Sequence, residues 1–545
     1  MINNSDPIDL TNAGFIEANT ADGLRKCLVD EFSSLYIFHL RGNQRTSGEL
    51  SRKEGGKIFG SGSRAPIAIS LLVRNPDAKQ QGQIFFHDIG DYLTREQKLE
   101  KVSAFKSVSG IAKSNGWNQV TPDEYGDWLN QRDHSFGEFI LLSSKKSEVD
   151  RIFCDYSNGV KTNRDAWCYN YSSESLSGNI NDMLVVYNSE LEAIYNNSNY
   201  SVTQDSTRIS WSSGLLNNVD RKLVGSFSPI GIRRCLYRPF TRSWAYFDSF
   251  LNDRPGQMPK IFPPDKKNII IWTTGVGATL PFSSWISDTI CSIQQGPAAA
   301  QHFPLYIYEK VDEASAGKND LFAEQVTPDE NGYTRKDGIS DAGLAHFHVV
   351  YPDEAINKED LFYYIYGLLH SEEYRSRYAD NLSKELPRIP AVKTAKDFWA
   401  FSKAGRQLAE LHLNYETVEM YPVKVEGGAV GDDCRVEKMK HPKIKVDGKS
   451  VNDKSVLIYN KKITVSDIPL EAYEYIVNGK PALDWVMDRQ CVKTDKKSGI
   501  VNDANDWANE TMNNPKYPLE LFLRVITVSL KTMKIVNALP KLDID

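Results

Sequence analysis

Cysteine is scarce in this chain. Seven occur among 545 residues, at positions 27, 154, 168, 235, 291, 434 and 491, and no two stand as Cys-x-x-Cys. An odd number at wide spacing argues against a disulfide framework and against a cysteine-rich zinc site. Reduced, mostly buried thiols of a cytosolic protein are expected instead. Long hydrophobic runs are also lacking. The longest apolar stretches, within 268–272 and 361–370, fall short of the ~20 residues a membrane helix needs. The first ten residues are polar and acidic, unlike a signal peptide, so a cytoplasmic location with no membrane partner is expected. Nor is there an excess of positive charge: 65 Lys and Arg face 71 Asp and Glu, for a net charge of −6. A uniformly basic coat is excluded, whereas local basic patches are not.

Catalytic signatures are missing too. Gly448-Lys449-Ser450 ends like a P-loop, but Lys443 stands where the first glycine is required. The serines of Gly60-Ser61-Gly62-Ser63 are misplaced for a nucleophile elbow. Pro264-Asp265 lacks a following Glu-x-Lys, no His-Glu-x-x-His occurs, and none of the nine histidines pairs at i, i+4. Neither a metal site nor a catalytic residue is expected. What remains is an ordinary globular composition, 41% hydrophobic and 25% charged, long enough for three or four domains at roughly 150 residues each.

The pattern along the chain is α/β. Residues 22–32 carry Leu24, Cys27, Leu28 and Phe32 at helical spacing, and 34–41 read as a strand. A polar, Gly-rich loop follows from 42 to 64. Residues 65–74 form a nearly continuous apolar strand, expected to be buried on both faces. Helices are predicted over 94–110, from the Thr-Pro-Asp-Glu start at 121 to 132, across 355–415, and from 519 to 539 behind Pro518. Residues 205–310 are richer in short strands, 311–345 read as a surface loop or linker, and 420–465 turn basic and strand-like. No internal repeat or low-complexity tract is present.

Several blocks together carry a more specific message. FIEANTADGLRKCLVDEFSSLYIFHLRGNQRTSGELSRKEGGKIFGSGSRAPIAISLLVRNP (15–76) resembles the later part of the catalytic domain of adenine-specific DNA methyltransferases in the type ISP restriction-modification family, single-chain helicase, nuclease and methyltransferase enzymes. YSNGVKTNRDAW (156–167) and GIRRCLYRPFTRSWAYFD (231–248) are similar to the same family. So are DLFYYIYGLLHSEEYRSRYADNLSKELPRIP (360–390), GRQLAELHLNYE (405–416) and DWVMDRQCVKTDKKSGIVNDANDW (484–507), which resemble its C-terminal specificity domain. The resemblance covers the whole chain in the family's order. It implies an α/β fold: the terminal part of a Rossmann-like methyltransferase sheet over 1–204, then a mixed α+β target-recognition domain over 205–545. It implies double-stranded DNA as partner and S-adenosylmethionine as methyl donor to the adenine amino group. The family's Gly-rich cofactor turn and Asn-Pro-Pro-Tyr motif are absent here, and Asn75-Pro76-Asp77 does not replace the latter. The cofactor site is therefore expected outside this chain, in a separate N-terminal methyltransferase and helicase polypeptide or in a lost segment. A stand-alone DNA-binding specificity subunit and an inactive fragment are the alternatives.

An enzyme acting on a base in duplex DNA must take it out of the stack. By resemblance, Phe59 matches the aromatic that packs on the flipped adenine, with Gly60 and Gly62 permitting close approach; the alternative is a loop-anchoring ring. Arg41, Asn43, Arg45 and Arg64 are candidates for phosphate or base contact, or for fixing the loop. Arg233, Arg234, Arg238, Arg242 and Arg254 interleave with Tyr237, Phe240, Trp244, Tyr246, Phe247 and Phe250. Such a set reads DNA or forms a strand pair with arginines stacked on rings. Lys161, Asn163 and Arg164 make a polar turn that contacts DNA or fixes its own backbone. Lys384, Arg388, Arg406, Lys493, Lys496 and Lys497 lie in the family-like blocks. The basic run 435–462 is a solvated face or a DNA-backbone cleft.

Overall fold

The computed structural model describes residues 8–45, 48–60, 64–146, 149–197, 199–278, 280–295, 299–311, 328–427, 434–446 and 448–544. They pack as two units. The first comprises Met1–Glu138 and Tyr378–Glu385, the second Phe139–Arg377 and Leu386–Asp545. The boundary placed at 204/205 does not coincide with this division. Residues 139–204 pack with the second unit because the helix Ser173–Asn196 buries Leu176, Ile180, Met183, Leu184, Tyr187 and Leu191 in its core.

The first unit is built on a five-stranded sheet of β1 (Ile8–Asn12), β2 (Ser34–Arg41), β3 (Ile67–Val73), β4 (Gln83–Asp88) and β5 (Asn118–Val120), in the order β1-β3-β2-β4-β5. Only β2 and β4 run parallel; the other neighbours are antiparallel. The sheet is thus mixed rather than doubly wound. β2 is apolar on both faces because both are covered. Leu35 and Ile37 pack with Leu28 and Phe32 at the end of the helix Asp22–Glu31, and the alternating Phe38 and Leu40 pack with Ile111 on the other side. β3 differs from expectation. Ala68, Ser70 and Leu72 are buried, but on the other face the second layer takes in Ile67 and leaves Ile69 exposed.

No helix forms over 121–132. The Asp123 carboxylate accepts from the N–H groups of Tyr125 and Asp127, closing a local turn. Gly126 then takes φ +81°, which ends any helical path. The turn delivers Asp127 to the interior. There Oδ1 accepts from Arg25 Nη2 at 2.7 Å, and Oδ2 accepts from Lys384 Nζ at 2.8 Å. Arg25 is fully buried and also donates to the carbonyls of Phe15, Ala18 and Gly126.

The second unit combines short sheets with long helices. One four-stranded sheet runs Ile290–Cys291, Ile232–Arg238, Thr241–Tyr246, Tyr169–Asn170; another runs Ser284–Ser287, Ile270–Thr274, Ala300–Pro304, Ser157–Asn158. The predicted helices appear as Lys358–Leu368, Ala395–Leu413 and Tyr517–Asn537, the last with Pro518 in its first turn. The first two cross at glycine. A Cβ on Gly405 would lie 1.8 Å from the Tyr363 carbonyl oxygen, and one on Gly367 would lie 2.2 Å from that of Phe401. Backbone contact this close leaves no room for a side chain.

Candidate nucleic-acid interface

Two turns 90 residues apart in sequence meet in the second unit. Lys161 and Arg254 exchange backbone hydrogen bonds, Lys161 N–H to Arg254 O at 2.9 Å and Arg254 N–H to Lys161 O at 3.0 Å. Asn163 turns the chain at φ +56°, a conformation asparagine tolerates, and its amide donates to Asp253 Oδ2 at 2.5 Å. Beneath them Arg164 is buried. It donates to Asp253 Oδ1 at 3.3 Å, to Ser212 Oγ at 2.6 Å and to the Leu251 carbonyl. Ser212 in turn donates to Asp253 Oδ1 at 2.7 Å. This buried pair fixes the two turns together and leaves Asn163 and Arg254 exposed, with Lys161 half-buried between them. Sequence reasoning had named Lys161, Asn163 and Arg254 from separate blocks. It missed Asp253, which joins them, since a single turn carboxylate gives no signal of a partner so distant in the chain.

The arginines of 231–254 divide sharply. Arg238 is buried, donates to Ser292 Oγ at 3.2 Å and lies 3.9 Å from the Tyr237 ring centroid. Arg242 bridges Glu416 and Asp288, each at 3.1 Å. Burial works against its charge, but Tyr415, Glu416 and Asp288 together outweigh burial and hold its pKa above the ordinary value. Arg233 donates to the Phe262 carbonyl at 2.7 Å, and burial lowers its pKa. These three brace the hairpin. Arg234 is exposed. It stands opposite Trp244 across the strands, 5.6 Å from that ring and 5.9 Å from Trp507. The Trp244 indole N–H donates to Thr511 Oγ1 at 3.1 Å. Arg234 is thus a solvent-facing guanidinium backed by two indoles.

In the first unit Arg41 ends β2 at φ +57°. Its Nε lies 2.9 and 3.0 Å from the two Asp88 oxygens, and Nη1 bonds Asp91. Burial alone would raise the Asp88 pKa, yet hydrogen bonds from His39, Arg41 and the Gly90 N–H bring it down to about 2. The loop beyond is held from within: Asn43 N–H donates to Glu54 Oε2 at 2.8 Å, and Lys98 donates to the carbonyls of Glu54 and Gly56. Arg64 donates to the Gln44 carbonyl at 2.9 Å, while the rest of its side chain is exposed. Asn43 Oδ1 accepts from the Arg45 N–H at 3.0 Å. Phe59 is 50% exposed, and Gly62 lies outside the described residues.

The block 360–390 is shared between units. Lys384 is buried against Asp127 in the first, and Arg388 donates to the Phe139 carbonyl at 3.2 Å in the second. Arg406 pairs with Glu359 and Asp360, whereas Lys493, Lys496 and Lys497 are exposed. Among the described residues no group of three His, Cys, Asp or Glu is placed to hold a metal. No helix among them is long and apolar enough to cross a membrane.

The described residues thus form a mixed α/β scaffold of small sheets that carries exposed cations on braced turns and over indoles. The chain belongs to the Type ISP C-terminal specificity domain family, whose model matches residues 151–521. Three solved structures are similar across almost its whole length. A nuclease-deletion mutant of the Type ISP restriction-modification enzyme LlaGI, in complex with a DNA substrate mimic, is 39% identical with a TM-score of 0.84; the match covers 100% of this chain and 47% of that one. The ATP-dependent Type ISP enzyme LlaBIII bound to DNA is 33% identical with a TM-score of 0.85, covering 99% and 33%. A DrdV–DNA complex is 27% identical with a TM-score of 0.80, covering 98% and 50%. The chain therefore spans between a third and a half of the length of these relatives. A comparison with curated proteins gives no match.

Proposed function

We propose that this chain is the DNA target-recognition portion of an adenine-specific methyltransferase of a restriction-modification system. The observation that carries the reading is the Arg164–Asp253 frame, which presents Lys161, Asn163 and Arg254 together within the stretch matched by the specificity-domain family. Cations on a rigid turn suit phosphate contacts that fix register on a duplex. Arg234 over Trp244 and Trp507 suits a bidentate contact to a guanine edge or a phosphate. The first unit is read as the end of the catalytic domain, with half-exposed Phe59 resting against the flipped adenine; this part stands on sequence resemblance.

S-adenosylmethionine is the donor this reading implies, but the residues present do not fit it. In open α/β sheets such ligands sit at the carboxyl ends of parallel strands. In the sheet of the first unit the one parallel pair among the described residues, β2 and β4, ends in Arg41 and Asp88, which are bonded to each other, with Arg41 bonded to Asp91 as well. The sequence has no Asn-Pro-Pro-Tyr. Methyl transfer then needs residues supplied by another polypeptide or segment. A specificity subunit without enzymatic role is the second reading, favoured by the same misfit.

Two measurements test these statements. Lys161→Gln/Arg254→Gln is expected to weaken duplex binding by roughly 10–100-fold at 0.1 M salt and to flatten the slope of log K against log salt by about 0.9 per lost contact. Unchanged affinity and slope in fluorescence anisotropy would remove these residues from the interface. Incubation of this chain with labelled S-adenosylmethionine and target duplex is expected to give no methyl incorporation until the complementing methyltransferase part is added. Incorporation by the chain alone would overturn the misfit.

A further inference from the structure

The basic run 435–462 holds nine Lys and Arg against three acids in a chain of net charge −6. The structure separates it into two kinds of cation. Arg435 is bonded to Glu437 and Asp503, at 3.0 and 2.6 Å. Lys454 lies 3.9 Å from Asp484 and over the Tyr473 ring. These cations serve the fold. Between them stands a two-stranded ribbon, Lys443–Val446 paired with Lys449–Asn452, which among the described residues joins no other sheet. Its foot is fixed: His441 Nδ1 bonds the Val456 carbonyl at 2.7 Å, and Asp453 N–H donates to Pro442 O at 2.9 Å. Asp447-Gly448 is a two-residue hairpin signal, and Gly448 takes φ +75°.

None of the ribbon's described residues belongs to the buried core cluster. All four residues of its first strand are exposed, with Ile444 at 43%, Val446 at 47% and, on the second strand, Val451 at 40%. Alternation gives it two different faces. Ile444 stands opposite Val451, a cross-strand aliphatic pair that holds the ribbon in register. The other face carries Lys443 and Lys445 beside Asn452 and Ser450. No acidic side chain among the described residues forms an ion pair with Lys443, Lys445 or Lys440 at the foot, although Arg435 and Lys454 are paired close by in the chain. Lys443 and Lys445 are about 6.8 Å apart along the strand, so their flexible ammonium groups can meet separate anions.

We propose that this ribbon is a further contact to DNA, in which Lys443 and Lys445 engage the phosphate backbone of a duplex independently of base sequence. The proposal rests on the reading of the chain as a DNA-recognition portion and adds an anchoring arm apart from the Lys161–Arg254 turns. Duplex DNA matches it in charge, a two-stranded ribbon is slender enough for a DNA groove, and a positioning contact needs cations rather than shape-matched side chains.

The test is binding of the full chain to target and non-target duplexes by fluorescence anisotropy over a salt series, comparing wild type with Lys443→Gln/Lys445→Gln and Lys443→Arg/Lys445→Arg. Neither lysine touches the core, so thermal midpoints should coincide and folding is controlled. The Gln variant should lose roughly 10–100-fold at 0.1 M salt on both duplexes and flatten the salt slope by about 1.8, at ~0.9 per phosphate contact. The Arg variant should retain both. If wild type binds and the Gln variant matches it in affinity and slope, the ribbon is not a DNA contact, while the wider reading stands. A loss confined to the target duplex overturns sequence-independent contact. A variant unchanged on duplex but weakened on polyglutamate assigns the face to an acidic protein and overturns the proposal. If wild type binds no duplex, the ribbon proposal and the DNA-recognition reading fall together.

Discussion

Lowering the pH from 6 to 5 is expected to weaken the second unit by about 3–4 kcal/mol through three buried imidazoles. His412 lies between the Tyr366 hydroxyl at 2.7 Å and Thr532 Oγ1 at 2.9 Å, its ring near parallel to those of Trp285 and Tyr475. His370 is its neighbour, its Nδ1 hydrogen-bonded to the Tyr366 carbonyl at 2.8 Å. His302 Nδ1 meets the Ser157 carbonyl at 3.3 Å. Burial pushes His370 down to about 4 and His302 to about 3, and burial followed by the nearby His370 holds His412 well below the ordinary value. All three are neutral in the folded chain at pH 6. Their stability contribution is complete above the unfolded pKa near 6.5 and is lost as pH falls toward the folded values, because only the unfolded chain takes up the protons. Asp506 works the other way: burial, then Asp503 and Glu510, raise its carboxyl to about 6, so protonation below that pH favours the folded form and offsets part of the loss. Urea unfolding at pH 7.5, 6 and 5 reads the effect. His412→Leu should remove about a third of the slope. A midpoint that does not move between pH 6 and 5 would mean the imidazoles are not buried as found.

In the first unit, Asp127→Ala should cost about 3–5 kcal/mol, the range for breaking a buried ion pair by removing one partner. The substitution strands the cations Arg25 and Lys384 and also removes the carboxylate that Arg132 Nε meets at 3.5 Å. Arg25 is fully buried and Lys384 nearly so, and both meet the same carboxylate at 2.7 and 2.8 Å. Replacing the most buried part of the group, as Arg25→Met/Asp127→Leu/Lys384→Met, should recover part of the loss, since apolar groups of similar volume carry no uncompensated charge and only the partly exposed Arg132 loses its carboxylate. Urea denaturation followed by circular dichroism tests both variants. A loss under about 1 kcal/mol for Asp127→Ala would place the carboxylate at a solvated surface instead.

The sequence made local structure legible wherever burial acts on neighbouring residues. β2 was readable because its alternate residues meet two different covers, and the terminal helix because Pro518 suits a first turn and the apolar residues that follow, Leu519, Leu521, Phe522, Leu523 and Ile526 among them, are buried around the helix. The helix expected over 121–132 failed because its periodicity is outweighed by the Asp123 turn and by Arg25, about a hundred residues away. The same distance effect governs the candidate interface. Lys161, Asn163 and Arg254 look like Arg164, Arg238 and Lys384 on the page, each a cation or amide in a polar block.

Composition and block order by themselves determined the α/β class and the family resemblance carried into the 151–521 match. Only tertiary structure decided which cations face solvent. Whether a guanidinium is buried depends on a carboxylate brought to it from elsewhere in the chain: Asp253 for Arg164, Glu416 for Arg242, Asp127 for Lys384. Pairing energy depends on distance in space and on the local dielectric, and neither quantity is encoded in the spacing of residues along the sequence.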